Sequence, residues 1–448
     1  MDESAKFTAK LPSLYSDSSF WGMTVTQFFG AFNDNLFKQL ILLLSITIAA
    51  NGTTTDSQGT VMLVFSLPFL VVTGIAGYLS DRLGKRGIIV TYKVAEIVIM
   101  ALGGLAFALY SQSNSLTFLY CVLFFMGAQS GFFGPAKYGI LPEMLHGDDL
   151  PRANGFILMT TFVAIILGTV VAGLLLDFFP GQQWVGSVAC VLIAIVGTAS
   201  SLLVRKVPPA NSTLQLRPSS FTVPPDMIRL LRQDKPLLAA LLVSSVFWLL
   251  AGMVPLAINA LGKIVLLADD KYTSLLNGVI SIGIAVGCVL GGLISKGKVD
   301  FRLLRVGAFG MIICLAILAI PASGDISQLV GADGNLARLP NVGESTQWLG
   351  YWGSLTMLLV VGSFTGMFAV PLQVFMQSRP PSDKKGRMIA VMNQANWIGI
   401  AISGLLYDAI KNLVELQHWP KSIIFLFIAA IMLPVALFYH PKNEQLEH

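Results

Sequence analysis

Charge is what this chain has least of. Asp, Glu, Lys and Arg make up 12% of its 448 residues, about half the ~25% usual in a soluble domain. With 54% hydrophobic residues and a mean hydropathy of +0.73, that scarcity excludes a protein that folds in water alone. Cysteine is scarce too. Cys121, Cys190, Cys288 and Cys314 all lie in apolar runs, where a thiol acts as a small hydrophobe, so no disulfide framework is expected. The four histidines show no metal-ligand spacing, and neither a metal nor a cofactor is expected. No G-x-x-x-x-G-K-[ST] loop occurs, which excludes a P-loop for ATP. The net charge of +5 does not point to nucleic acid, because topology accounts for the basic residues.

What the chain has instead is long apolar runs. A membrane-spanning helix needs about 20 apolar residues, and twelve runs qualify: 20–49, 58–80, 87–110, 116–138, 153–178, 184–204, 237–267, 273–295, 302–321, 348–376, 387–411 and 421–439. The expected fold class is an all-α integral membrane protein. An even number of spans puts both termini on one side. Of the 29 Lys and Arg residues, 21 fall on that side, 4 opposite and 4 within spans, so both termini are expected in the cytoplasm. Residues 1–19 are polar and the apolar run after them is too long for a signal-peptide core, so a multi-pass protein without a cleaved leader is expected. Leu446-Glu447-His448 reads as a tag remnant in a 441–448 tail. The Pro- and Ser-rich segment 206–235 reads as a cytoplasmic linker between six-helix bundles at 20–205 and 236–440. Within it, Met227 to Arg232 has the pattern of a short amphipathic helix on the membrane surface.

One span is expensive. Phe20 to Ala49 carries Asn33, Asp34, Asn35 and Lys38 in its middle. A charge near the bilayer centre costs about 2.5–3.5 kcal/mol on insertion scales, so such residues face a partner or water and are functional candidates. Asp34 and Lys38 are four apart and share a helix face, with Gln27 close to the same face. Either the two charges neutralise each other and fix packing, or they line a transport path. Asp34 lies about 20 Å along the helix from Trp21, too deep to snorkel. Lys137 lies about 31 Å from Leu116, near the cytoplasmic end, where a lysine can snorkel. On the third span Lys93 and Glu96 are three apart and can pair, or Glu96 can meet Lys38 or Lys137 instead. The second half carries amides, Asn259, Asn277, Gln373, Asn393, Gln394 and Asn396, whose common role is interhelical hydrogen bonding worth about 0.6 kcal/mol each.

The halves echo each other. Gly131-Phe132-Phe133-Gly134-Pro135 closes the fourth span and Gly366-Met367-Phe368-Ala369-Val370-Pro371 comes late in the tenth. Two six-helix pseudo-repeats around a midplane site are a secondary-transporter pattern. The loop Gly77-Tyr78-Leu79-Ser80-Asp81-Arg82-Leu83-Gly84-Lys85-Arg86 resembles the signature loop of the major facilitator superfamily. In that role Gly77 and Gly84 allow close approach and a tight turn, Asp81 gates, and Arg82, Lys85 and Arg86 hold the turn at the anionic leaflet. Further stretches are similar to the lysophospholipid transporter family within that superfamily. They are Ala31 to Asn35, Gly134 to Glu143, Ala153-Asn154-Gly155, Val246-Phe247-Trp248, Asn277-Gly278 and Gly366 to Gln373.

The resemblance implies a major facilitator fold in the bacterial inner membrane, and alternating-access flipping of lysophospholipids, chiefly lysophosphatidylethanolamine, towards the cytoplasmic leaflet. It also implies a functional link to a separate acyltransferase. Fused acyltransferase activity is not expected, because Pro151, five residues after His146, leaves no His-x4-Asp pair. An enzyme is not expected; a monomer among membrane lipids is. The headgroup has one ammonium and one phosphate. Asp34 suits the first and Lys38 or Lys137 the second, with Gln27, Asn33, Asn35, Glu96, Tyr138, Trp248 and Asn393 as further candidates. The alternative is a proton-coupled exporter of amphiphilic or cationic drugs, with Asp34 as the coupled carboxylate.

Overall fold

The computed structural model describes residues 12–48, 54–146, 149–209, 225–295, 301–321, 347–381, 385–439 and 441. Helices dominate, because in lipid every backbone N–H and C=O has to be bonded within its own segment. They are α1 (Ser18–Leu44), α2 (Gln58–Arg82), α3 (Lys85–Ser113), α4 (Thr117–Met144), α5 (Leu150–Phe178), α6 (Trp184–Ser201), the short α7 (Pro225–Gln233), α8 (Lys235–Ala260), α9 (Asp270–Ser295), α10 (Phe301–Leu318), α11 (Gly350–Ser378), α12 (Lys385–Leu416) and α13 (Ile424–Phe438). Between α1 and α2 an antiparallel ribbon pairs β1 (Ile46–Ile48) with β2 (Thr54–Asp56). A π-helical turn, Leu261–Val265, ends α8.

Among the described residues ten helices, α3 to α6 and α8 to α13, are long and apolar enough to cross a membrane. Helix α2 makes an eleventh if its two arms, bent by 49° between Val72 and Gly74, count as one span. Helix α1 is 27 residues long but stands outside that set, because the amides and charges in its middle dilute its hydropathy. Length and composition alone therefore stop short of the expected twelve spans.

The chain divides into two units, Met1–Leu40 with Val64–Thr222, and Ile41–Leu63 with Val223–His448. The undivided 20–205 bundle expected from sequence is thus corrected: the end of α1, the ribbon and the start of α2 group with the second unit. Hydrogen bonds give the reason. Tyr407 Oη donates to Asp56 Oδ2 at 2.6 Å, and Lys411 Nζ donates to the Asp56 carbonyl. Asn277 donates to Asn259, and Asn259 to Gln58, each at 2.8 Å. All six side chains are buried. Gly59 and Gly404 bring α2 and α12 into backbone contact. A Cβ on Gly404 would lie 2.3 Å from the Gly59 carbonyl oxygen.

In the first unit, an apolar core of Leu14, Phe20, Met23, Ile89, Ile140, Met144 and Val204 gathers the end that holds the α2–α3 turn. Asp17 closes it, accepting both oxygens' bonds from Arg205 at 2.6 Å. In the second unit α7 forms where the pattern predicted an amphipathic helix. Met227 and Leu231 are buried, and Asp226 and Asp234 bond to Arg387 and Arg379 at 2.5 and 2.7 Å. The apolar side has found protein in place of lipid. Lys263 is held by the Leu43 carbonyl at 2.8 Å and by Asp270 at 2.7 Å.

Gly404→Val puts side-chain atoms into the Gly59 backbone and is expected to destabilise by about 1–3 kcal/mol. Thermal unfolding of the purified protein checks this. Gly292→Ala, where a Cβ meets nothing within 4 Å, is the control and is expected to stay within ~0.5 kcal/mol of the parent.

Candidate functional site

The polar residues of α1 separate by burial. Asn33 and Gln27 are buried, whereas Asp34, Asn35 and Lys38 are half-buried. Asn33 donates to Glu96 Oε1 at 2.7 Å. The other oxygen of Glu96 takes Lys93 Nζ and, at 3.3 Å, Gln129 Nε2. Lys93 and Glu96 have side chains 0% and 1% exposed. Of the alternatives open for Glu96, the structure shows the pairing with Lys93. Room for the lysine comes from small neighbours: a Cβ on Gly197 would lie 2.9 Å from Lys93 Cε. Gln27 is used up as well. It donates to Thr160 Oγ1 at 2.7 Å and accepts from Thr161 Oγ1 at 2.7 Å and Lys137 Nζ at 3.3 Å. Glu96, Asn33 and Gln27 thus brace the helices and offer no exposed atoms to a ligand.

The half-buried group differs. Asp34 Oδ2 is bonded to Ser130 Oγ at 2.6 Å. Lys38 Nζ donates to Asn35 Oδ1 at 3.0 Å and sits 4.9 Å from the centre of the Phe65 ring. Asp34 and Lys38 do not form an ion pair with each other, so mutual neutralisation of these two charges is not what the structure shows. Each is held by neutral groups. Asn35 also caps back to the Ala31 carbonyl at 2.8 Å. Trp248 and Asn393, both exposed, belong to the second unit, and the side chain of Tyr138 lies outside the described residues.

Of the gating loop, Gly77 and Arg82 lie at the end of α2, Gly84 is the N-cap of α3, and Lys85 and Arg86 are its first residues. The expected leaflet contact of Lys85 is corrected: it is buried and paired with Glu143 on α4. Arg86 donates to the Leu202 carbonyl at 2.9 Å. Arg82 is exposed and bonds to the Tyr78 hydroxyl. The side chain of Asp81 lies outside the described residues. The turn is thus tied to its own unit by an ion pair whose lysine is buried and whose glutamate is half-buried.

A family model of the Major Facilitator Superfamily matches residues 22–404. The chain belongs to the major facilitator superfamily. Among curated relatives, the "Lysophospholipid transporter LplT" of Yersinia pestis (strain Pestoides F) is 27% identical over 385 residues, covering 82% of this chain and 80% of the relative. The protein of that name from Yersinia pseudotuberculosis serotype O:3 (strain YPIII) matches with the same identity and coverage. Among solved structures, the nucleoside transporter NupG aligns with a TM-score of 0.63 at 11% identity, over 95% of this chain and 98% of its own. The POT family transporter PepTSo aligns at 0.65 and 14%, over 94% and 97%. These two establish the fold. The protein is a multi-pass transporter of this superfamily.

Several residues of the first unit escaped the sequence reading: Gln129 and Ser130 on α4, and Thr160 and Thr161 on α5. The available signal was a polar pair inside an apolar span, the same signal that exposed Asp34, at lower amplitude because no charge is involved.

Breaking the buried pair is the test of its role. Lys93→Met leaves Glu96 charged and unpaired and is expected to cost about 3–5 kcal/mol, whereas Lys93→Met with Glu96→Leu is expected to recover most of the loss. Thermal stability in detergent, measured for both variants, reads the difference. Equal losses would mean that the charges do not act as a pair.

Proposed function

We infer that this transporter carries lysophospholipids, chiefly lysophosphatidylethanolamine, by alternating access towards the cytoplasmic leaflet of the bacterial inner membrane. Asp34 meets the headgroup ammonium and Lys38 the phosphate. The observation that carries this reading is the arrangement of those two residues. They stand one helical turn apart, both half-buried, and each is held by neutral groups in place of the other. A zwitterion brings the two missing counter-charges at that kind of separation. The relationship to proteins named as lysophospholipid transporters supports the substrate class. So do the aromatic residues Phe28, Phe29 and Phe32 on α1, whose rings contact one another beside the polar stripe and suit an acyl chain. A twelve-span, two-repeat arrangement with both termini cytoplasmic goes with this reading, as does delivery of the product to a separate acyltransferase. Lys137, held near Gln27, is the second candidate for the phosphate.

The competing reading is an exporter of amphiphilic or cationic drugs that uses the same carboxylate. Substrate separates the two. Deleting a lysophospholipid importer blocks uptake and reacylation of labelled lysolipid, whereas deleting a drug exporter makes the cell drug-sensitive and leaves lysolipid uptake intact.

Removing one partner of a desolvated charge pair costs about 2–5 kcal/mol. Asp34→Asn is therefore expected to lower uptake of lysophosphatidylethanolamine into spheroplasts by roughly thirtyfold or more, with expression unchanged. Lys38→Met is expected to do the same for zwitterionic and anionic lysolipids alike, because both need the phosphate contact. Full uptake by the Asp34→Asn protein would overturn the assignment.

A further inference from the structure

By spacing alone, Asp34 and Lys38 should pair. A carboxylate one turn before an ammonium is the favoured order for an ion pair on a helix. The two groups are within electrostatic reach of each other, and burial leaves such an attraction far less screened than water would. Yet Lys38 Nζ lies elsewhere, on Asn35 Oδ1 at 3.0 Å and 4.9 Å from the centre of the Phe65 ring. Something outcompetes the carboxylate.

Asn35 alone is a weak rival, because a neutral carbonyl lacks the Coulomb attraction of an ionised one. The ring supplies the rest. The face of an aromatic ring is negative and draws an ammonium, most strongly where both are out of water. Phe65 is buried, and so is Phe69, whose ring packs against it with centroids 5.5 Å apart and planes at 64°. At this level α2 is pressed onto α4: a Cβ on Gly127 would lie 2.5 Å from the Phe65 carbonyl oxygen. The ring therefore belongs to the packed frame of the unit and does not follow the lysine about. Asn35 is pre-set as well. Its Nδ2 donates to the Ala31 carbonyl at 2.8 Å, which leaves Oδ1 for Lys38.

No other carboxylate is at hand for Lys38. The packed stretches of α2 (58–80), α4 (117–136) and α5 (153–176) carry no charged residue, and Glu96 on α3 is taken by Lys93. An ammonium has three N–H groups. Asn35 accepts from one and the ring face draws another. No acceptor among the described residues takes the third, and the side chain is only half-buried.

We propose that Phe65 is a positioning residue: its ring seats Lys38, keeps the ammonium off Asp34, and so preserves two separate opposite charges for a zwitterionic ligand, with the remaining N–H offered to the phosphate. The phosphate contact rests on the lysophospholipid reading; the seat does not.

Fluorination of the ring tests the seat without changing its shape. Mono-, di- and trifluorophenylalanine, placed at position 65 of the full-length protein, drain the ring face step by step. The first measurement needs no substrate. Thermal unfolding in detergent is recorded for Asp34→Asn, Lys38→Met and the two together. With phenylalanine at 65 the shifts in Tm are expected to be nearly additive. With trifluorophenylalanine they are expected to be clearly non-additive, because Lys38 now turns to Asp34, and Phe65→Leu is expected to behave in the same way. Additive shifts in both altered backgrounds overturn the proposal, as does full coupling in the parent. The second measurement is uptake of lysophosphatidylethanolamine into spheroplasts. KM is expected to rise with each fluorine, by between about twofold and thirtyfold over the series, with the maximal rate little changed and with no dependence on fluorine in Lys38→Met. An equal rise in Lys38→Met overturns the seat. If fluorination couples Asp34 to Lys38 and KM stays flat, the seat stands and the phosphate assignment falls.

Discussion

The buried Lys93–Glu96 pair is the constraint on which the site depends. Neither side chain reaches solvent, and the two are paired with each other. The carboxylate also takes Asn33 from α1 and Gln129 from α4, so a single group sets the rotation of two neighbouring helices. Once Asn33 is turned into α3, the 100° step of an α-helix sends Asp34 round to α4, where Ser130 receives it. Asp34 is thus placed by a bond that its neighbour in the chain makes. The pair also needs space, and the small residue at Gly197 supplies it. A buried ion pair of this kind adds little net stability over a well-packed apolar core. What it adds here is a fixed anchor for α1, since rotation of that helix would take Asn33 off Glu96 Oε1.

Polar residues in the first unit therefore fall into two classes that the sequence alone does not distinguish. Gln27, Lys93 and Glu96 are satisfied within the protein, and Asn33 is committed to Glu96 through its Nδ2. Asp34 and Lys38 are held by weaker, neutral partners and keep part of their surface. For a carrier that difference matters. A ligand can compete with a hydroxyl or an amide for a charged group, whereas displacing Lys93 from Glu96 would cost several kcal/mol. Membership of the major facilitator superfamily supplies the transport context, and the weakly held pair is where the proposed function places the exchange of a substrate charge.

Much of this was legible from residue order, and what was missed shares one physical cause. A charge in an apolar helix is conspicuous, so Asp34 and Lys38 stood out, and a three-residue spacing made Lys93 one of three candidate partners for Glu96, the one the structure shows. Bonds between residues distant in the chain leave no such trace. Lys85 reads as one more basic residue in a basic turn until Glu143, 58 positions away, is folded beside it. Tyr407 and Asp56 are 351 positions apart, and nothing local to either marks them as partners. The β1–β2 ribbon was absorbed into the tail of an apolar run because Ile46, Thr47 and Ile48 fit an apolar helix end as readily as a short strand. Spacing put Asp34 and Lys38 on one face and left two readings open, neutralisation or a polar lining; the structure shows no ion pair between them. Spacing says that two groups can meet and leaves open whether a third competes.

The second unit solves its own joining problem with different chemistry. Its segment 41–63 is held by amides in series, Asn277 to Asn259 to Gln58, with Tyr407 and Lys411 on Asp56. An interhelical amide bond in a membrane protein is worth about 0.6 kcal/mol, far less than the cost of opening a buried ion pair. Amides also lose less when exposed to water, because each remains a neutral donor and acceptor that water can satisfy. A junction built this way shares its bonds among several partners, Gln58 Nε2 alone facing Asp56, Leu256 and Tyr407, and its amide bonds are cheap to undo one at a time. The first unit concentrates its polar energy in a contact that resists change, and the second distributes it over contacts that tolerate change. That contrast suits a protein in which one set of helices has to present a fixed binding geometry while other contacts are made and broken during a transport cycle.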